Sequence, residues 1–367
     1  MNADRHIRLG IVGCGRVTET RHLPALRYLK NAEVVALADL SIDRLNKVAD
    51  LFDIKARYTN YQRLLEDPSI DVVAVCVPAQ HHVEIGLAAL DAGKHVFVEK
   101  PLALKLDECH ILIERARKSP NKVMVGFNLR WHRLVRQARE MIQQGRLARI
   151  DLMRTVLTSY HDAVPQWRQY REWGGGVLFE LAVHHFDLWR FLLRSEVEEV
   201  SASTLCGQWE DEAATVSARM ANGVLITSAF AERTSESHEL EVYGQAGRLK
   251  VSCYDFDGLE CFSTAGFSGD MRNRLRRIAF IAKELPQGIR NMGRGGDFIA
   301  SYRAEWSHFS DAIRHNISVE CTLEDGVQAL RVVLAAARSA ATNQPVSLSA
   351  ITASGQPSTE DYAVGRP

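Results

Sequence analysis

The stretch "HVFVEKPLAL", residues 95–104, ends an apolar run on two opposite charges and then on a proline. A strand of Val and Phe belongs in an apolar environment. A lysine at its end is costly there unless it is paired or put to work. One reading of Lys100 is a surface ion pair with Glu99, which would contribute little. The other is chemical. An ammonium can donate hydrogen bonds to a substrate hydroxyl and stabilise that hydroxyl as its proton leaves. Pro101 fixes the backbone that follows, and X-Pro bonds are the ones that readily turn cis.

A second cluster lies upstream, in "GIVGCGRVTETRH". Gly13, Cys14, Gly15, Arg16, Val17 and Thr18 follow an apolar strand and open a helical stretch. In the G-x-G-x-x-G/A pattern the first glycine makes the tight turn. The second lets a pyrophosphate approach the backbone, and the N–H groups at the helix start, those of Arg16 and Val17 included, face it. Thr18 stands at the third position and is expected to loosen the packing of helix on strand. Asp39 ends the next strand, "VVALADLS", just over twenty residues on. A carboxylate there binds both ribose hydroxyls and repels a 2′-phosphate, which favours NAD. A plain turn or cap role is the alternative for Asp39, and Arg44 nearby keeps NADP open.

These residues need a scaffold. "IRLGIVG", "AEVVALAD", "DVVAVCVP", "HVFVE" and "KVMVGFN" read as strands that are apolar throughout. Amphipathic helices separate them, among them one capped by Ser41 and one ending at Gly93. This is the pattern of a parallel sheet covered on both faces, an α/β Rossmann domain over residues 1–128. Lys100 then falls at the carboxyl edge of the sheet, where ligands of such folds lie. After a further helix the alternation turns polar–apolar, in "RIDLMRTVLTSY", "VEEVSASTLCGQW", "EAATVSARM", "GVLITSAFAE", "HELEVYG" and "GRLKVSCY". That predicts an α+β domain over 129–350, with an open, mostly antiparallel sheet exposed on one face. Its last helix is expected to pack back on the Rossmann domain. A Ser-, Thr-, Gly- and Pro-rich tail over 351–367 is expected to be loosely held.

The 367 residues suit two domains. The formal net charge is zero, so bulk charge draws the chain to neither nucleic acid nor an anionic membrane. Seven scattered cysteines without a C-x-x-C pair read as reduced, mostly buried thiols, and zinc is not expected. No apolar run reaches membrane-spanning or signal-peptide length, so a cytoplasmic protein is expected. Residues 271–296 stand apart, with seven basic residues against one acid. They read as a solvated insertion, a subunit contact, or a holder of a substrate diphosphate through Arg276 and Arg277.

"GIVGCGRVTETRHLPAL" together with "AGKHVFVEKPLAL" resembles the glucose–fructose oxidoreductase / inositol dehydrogenase / rhizopine catabolism (Gfo/Idh/MocA) family, over roughly residues 5–350. "VPAQHH" resembles the family's P-x-x-x-H segment and places Pro78 and His82, with Glu99 and Lys100, among the cofactor contacts. "GGGVLFELAVHHFD" resembles G-G-G-x-x-x-D-x-x-x-H, with Glu180 where the family has aspartate and with His184 as the histidine. The resemblance implies His184 as general base, Glu180 as its partner and Lys100 as hydroxyl polariser. On an α-helix Glu180 and His184 share a face. The longer glutamate could instead pass the histidine and reach into the substrate pocket. His185 points about 100° away on a helix, and Asp187 could also hold His184. Arg130, Trp167 and Arg168 match positions where the family commonly contacts substrate, and Tyr160 and His161 border them.

The resemblance implies an oxidoreductase moving hydride between NAD(H) and a secondary alcohol of a sugar, cyclitol or (nucleotide-)sugar derivative. It also implies a homodimer or homotetramer formed through the C-terminal sheet. Two alternatives share the fold. One is an enzyme that keeps and cycles its NAD for epimerisation, glycoside cleavage or transfer between substrates. The other is a non-catalytic sugar sensor, which has no need of a proton acceptor such as His184.

Overall fold

The computed structural model describes residues 6–264 and 270–352, and the side chains of Asn273, Arg276, Arg277 and Met292 lie outside that description. So do residues 353–367, most of the tail considered above. The chain divides into two units. One holds the residues up to Asn128 together with Ile299–Leu330, and the other runs from Leu129 to Phe298 and resumes at Arg331.

The first unit is a six-stranded parallel sheet: β1 (Ile7–Val12), β2 (Ala32–Ala38), β3 (Ala56–Tyr58), β4 (Val72–Val75), β5 (His95–Glu99) and β6 (Val123–Gly126). The strand order is β3-β2-β1-β4-β5-β6, and every pair is parallel. The order reverses between β1 and β4, where this fold class opens its ligand crevice. All four residues of β4 and all five of β5 are buried, as a sheet covered on both faces requires. A π-helical turn, Thr18–His22, leads into the short α1 (Leu23–Leu26). The remaining helices of the Rossmann stretch are α2 (Ile42–Leu51), α3 (Tyr61–Leu65), α4 (His82–Asp91) and α5 (Leu106–Arg117). Ser41 caps α2 by accepting from the Arg44 N–H, and Gly93 follows α4 at φ +72°.

The second unit begins with α6 (Arg133–Gln143). It then builds an eight-stranded sheet from β7 (Ile150–Tyr160), β8 (Val197–Leu205), β9 (Ala213–Met220), β10 (Leu225–Ala231), β11 (Arg233–Gly244), β12 (Gly247–Ser252), β13 (Leu259–Ser263) and β14 (Val346–Ser347). The order is β13-β12-β11-β7-β10-β9-β8-β14. Only β7 and β10 run parallel among these neighbours; the other pairs are antiparallel. Burial alternates along β9 and β10, so one face of the sheet carries Thr215, Ser217, Leu225 and Thr227 outward. The inward face meets α7 (Val183–Leu193), whose Phe186, Leu188 and Trp189 are fully buried. Two further strands, β13 and β14, escaped the sequence reading, being short or weakly alternating.

The basic segment forms α8 (Met271–Met292), and the chain then crosses between the units within α9 (Gly296–Arg314) and α10 (Leu323–Thr342). No helix among the described residues is long and apolar enough to cross a membrane. The expectation of buried thiols holds for five cysteines, whereas Cys206 and Cys261 are exposed.

The interior of the second unit contains imidazoles. His185 is fully buried, stacks on His238 at 5.2 Å and has its Nδ1 2.8 Å from the Thr155 hydroxyl. Burial pushes His185 down to about 3 and His132 down to about 4, and it drives His238 well below the ordinary histidine value. These rings fold neutral. Below about pH 6.5 the unfolded chain takes up protons that the folded chain refuses. Stability is therefore fully present above that pH and is lost as the pH falls toward the depressed folded values. Each ring contributes a slope of about 1.4 kcal/mol per pH unit in that window. Thermal melts should show a marked drop in Tm between about pH 7 and about pH 5. A Tm that stays level over that range would contradict this account of the interior.

Candidate active site

The turn after β1 is built by close approach. Gly13 has φ +100°, and a Cβ there would sit 2.2 Å from the Cys76 carbonyl oxygen at the end of β4. Its N–H donates to the Ala38 carbonyl at 2.8 Å, so three strand ends converge on one glycine. Gly15 is the opposite case, since a Cβ there would meet no atom within 4 Å. Room in front of a bare backbone at a helix start is what a pyrophosphate needs. Arg16 is exposed and Val17 half-buried beside it. Thr18 corrects the expectation of loosened packing: it is fully buried, and its hydroxyl donates to the Gly13 carbonyl at 2.6 Å. The side chain that replaces the third glycine thus fastens the turn.

Asp39 fills the turn and cap role weighed for it. Its Oδ2 accepts from the Cys14 N–H and its Oδ1 from the Ser41 N–H, each at 2.8 Å. The carboxylate thereby holds the glycine turn and the start of α2, and each oxygen keeps a further lone pair for a ribose hydroxyl. Arg44 Nη1 lies 3.8 Å away on the exposed side. Burial and the adjacent Asp39 push the Cys14 thiol up to about 12, so Cys14 is no nucleophile here.

At the edge of β5 the Lys100–Pro101 bond is cis and Lys100 is half-buried. Glu99 is not the surface group that one reading made it, being only 6% exposed. Its Oε1 lies 2.8 Å from His22 Nε2, and its Oε2 accepts from the Lys100 N–H at 3.1 Å. Trp306 Nε1 lies 3.0 Å from His22 Nδ1. Indole can only donate, so Nδ1 accepts and the ring proton on Nε2 is given to Glu99. Trp306 in turn stacks on Phe97 of β5 at 4.3 Å. His82 is 1% exposed, with Nδ1 2.8 Å from the Pro101 carbonyl and Nε2 2.8 Å from the Val77 carbonyl. It is positioned to fasten the lysine loop to the loop of half-buried Pro78. Burial lowers its pKa, although the two carbonyls oppose that shift.

In the second unit the three glycines have a steric reason. Gly174 and Gly176 sit at φ +88° and +78°, and a Cβ on Gly175 would lie 2.2 Å from the Arg168 carbonyl oxygen. They let the 3-10 turn Gln166–Gln169, with half-buried Trp167 and Arg168, lie against the start of the helix that carries Glu180 and His184. That start is not α-helical. Leu178–Ala182 is a π turn leading into α7. Glu180 Oε2 stands 3.5 Å from Arg168 Nε. His184 lies in the first turn of α7 and is half-buried. Two expectations are redirected. Arg130 is 4% exposed and grips Asp187 with two hydrogen bonds, Nε to Oδ2 at 2.7 Å and Nη2 to Oδ1 at 2.5 Å. That pair fixes α7 from within, which commits Arg130 and Asp187 to the interior. Tyr160 is exposed, with its hydroxyl on Asp162.

Three residues that the sequence did not single out hold charged groups in place here: His22, Trp306 and Glu232. Glu232 is fully buried after β10 and accepts from Arg168 Nη2. Its one sequence signal resembles that of Glu99, a carboxylate at the end of an apolar strand.

Comparison with known proteins decides the family. Residues 7–127 match the model described as "Oxidoreductase family, NAD-binding Rossmann fold" of the Gfo/Idh/MocA family, and 139–348 match its C-terminal alpha/beta domain. The chain belongs to this family. The oxidoreductase YrbE of Bacillus subtilis, itself uncharacterised, is 30% identical over 349 residues, covering 94% of this chain and 97% of the relative. The myo-inositol 2-dehydrogenase of Thermotoga maritima is 31% identical over 252 residues, 66% of this chain and 74% of that enzyme. A levoglucosan dehydrogenase solved with NADH and levoglucosan superposes with a TM-score of 0.78 over 94% of this chain and all of that one, at 22% identity. The Gfo/Idh/MocA assignment thus covers both units and confirms the fold expected from the sequence.

The two glycines separate stability from cofactor binding. Gly15→Ala should keep the melting temperature of the chain and weaken NADH binding by about tenfold or more, followed by cofactor fluorescence. Gly13→Ala should lower the melting temperature itself, because the added Cβ meets backbone at a strained φ. Equal effects of the two substitutions on both readouts would contradict the reading of the turn.

Proposed function

We propose that the chain is an NAD(H)-dependent dehydrogenase of a secondary alcohol on a sugar, cyclitol or related polyol. The observation that carries the reading is Lys100 at the carboxyl edge of β5, its backbone N–H tied to a buried Glu99 that His22 and Trp306 hold in place. The activities named for two relatives, on a cyclitol and an anhydrosugar, support the substrate class.

Gly13, Gly15, Arg16 and Val17 would hold the pyrophosphate, and Asp39 the ribose. Bound there, the dinucleotide supplies the hydride acceptor. Lys100 polarises the substrate hydroxyl and stabilises the developing alkoxide, and His184 takes the proton. Arg168, Trp167 and Glu180 contact substrate hydroxyls. Asp39 favours NAD over NADP through its charge beside the 2′-position. The outward face of the eight-stranded sheet, with its small residues, supports assembly as a homodimer or homotetramer.

A spectrophotometric screen of NAD and NADP against cyclitols, free sugars, sugar acids and nucleotide sugars tests the reading. Reduced NAD should form with one polyol class, and Lys100→Ala or His184→Ala should each cut kcat by about 10²- to 10⁴-fold. Reduction that survives both substitutions would sink these assignments. Silence with tightly retained NAD would point to a cofactor-cycling enzyme instead. Asp39→Ala should narrow the NAD preference over NADP by about tenfold or more, and an unchanged preference would count against the ribose role.

A further inference from the structure

Arg168 is offered by the family resemblance as a substrate contact, and a lone guanidinium in a sugar site would suggest an acidic sugar. The structure surrounds it differently. Arg168 Nη2 donates to Glu232 Oε1, and Nε faces Glu180 Oε2 at 3.5 Å. The Arg168 side chain is 15% exposed, that of Glu180 15% and that of Glu232 0%. Two carboxylates thus share one guanidinium, and the three groups together carry one net negative charge. Burial and the neighbouring Glu180 push the Glu232 carboxyl up, while Arg168 between them pulls it down. The positive charge of Arg168 is spent before any ligand arrives. Its donor capacity is not: the side chain keeps a partly exposed edge, while Nε itself is buried beside Glu180.

We infer that Glu232, Arg168 and Glu180 form a subsite for an uncharged vicinal diol, which selects neutral polyols and rejects sugar acids and phosphates. The guanidinium donates to one hydroxyl oxygen and the Glu180 carboxylate accepts from the neighbouring hydroxyl, a complementary pair of contacts that a diol satisfies. A carboxylate or phosphate placed there would be a further anion beside two carboxylates that already share one guanidinium. Glu232 touches no substrate. It is a positioning residue that sets the orientation and effective charge of Arg168. The seat for the cluster is the Gly175 contact, where the helix start closes on the Arg168 backbone. The inference rests on the proposed reading, with Arg168 and Glu180 facing substrate.

The test measures binding and turnover separately. Myo-inositol and D-glucose serve as neutral probes and D-glucuronate and D-galacturonate as acidic ones. Each is titrated into the enzyme–NADH complex with cofactor fluorescence as readout, and each is assayed with NAD. The neutral probes should be favoured by about 100-fold. Glu232→Gln leaves a side chain that still accepts from Nη2 but restores net charge to Arg168. It should shrink that ratio by about tenfold, with circular dichroism and a melt confirming that the variant folds. Acidic probes that bind the wild type as well as neutral ones overturn the subsite, whatever Glu232→Gln does. So does a preference that the substitution leaves unmoved, and so does failure of every probe to bind. A neutral polyol that binds selectively without being oxidised supports the subsite while the dehydrogenase reading fails.

Discussion

A carboxylate buried at the end of a strand is the constraint on which the first unit turns. Glu99 sits among apolar neighbours where an unpaired charge would cost several kcal/mol. It is tolerated because His22 donates to one oxygen and the Lys100 N–H to the other. His22 can play that part only in one tautomer, and the indole N–H of Trp306 selects it. The consequence reaches the chemistry. The backbone of Lys100 is tied to a group that cannot move without leaving a charge unsatisfied in the core, and the buried His82 ring sits between the carbonyls of Pro101 and Val77, donating its one N–H to one of them. A reactive ammonium is only as well placed as the backbone that carries it.

The second unit repeats the device in another geometry. Glu232 also ends an apolar strand, is also buried, and holds a cation, here a side chain and not a backbone amide. The glycines ahead of α7 make this possible, since any side chain at Gly175 would drive the Arg168 turn away. Farther along α7, Arg130 and Asp187 neutralise each other inside the fold and fix the helix that presents His184. The π turn before α7 widens the spacing on which Glu180 sits. Lys100, Arg168 and the helix that carries His184 are thus each backed by a buried hydrogen-bonded pair.

How much of this was legible follows from what a linear pattern encodes. Apolar strands separated by amphipathic helices, and the glycine pair before a helix, report local geometry, so the Rossmann unit and the tight turn at Gly13 could be read directly. The same holds for Ser41 as a cap. Long-range pairing was not legible. His22 and Glu99 are 77 residues apart, Trp306 and His22 are 284 apart, and Arg168 and Glu232 are 64 apart. Nothing in the spacing announces such partners, and so Arg130 looked like a substrate contact and Glu99 like half of a surface pair. Thr18 misled for a different reason. The glycine rule concerns steric room, whereas a buried hydroxyl can bond the turn it crowds. The π turn ahead of α7 was not legible either, since it has no clear mark in the residues that form it.

The central claim is that the buried Glu99 carboxylate, and not the strand alone, positions Lys100 for its work. Glu99→Gln tests it with almost no change of shape. The amide still meets the His22 donor through its oxygen, but its NH₂ then faces the Lys100 N–H, donor against donor. With the substrate found by the screen, the account predicts a kcat lower by about tenfold or more while the folded structure persists. A variant that folds and turns over at the wild-type rate would show that the carboxylate is only a core residue, and the account of the site would fall with it.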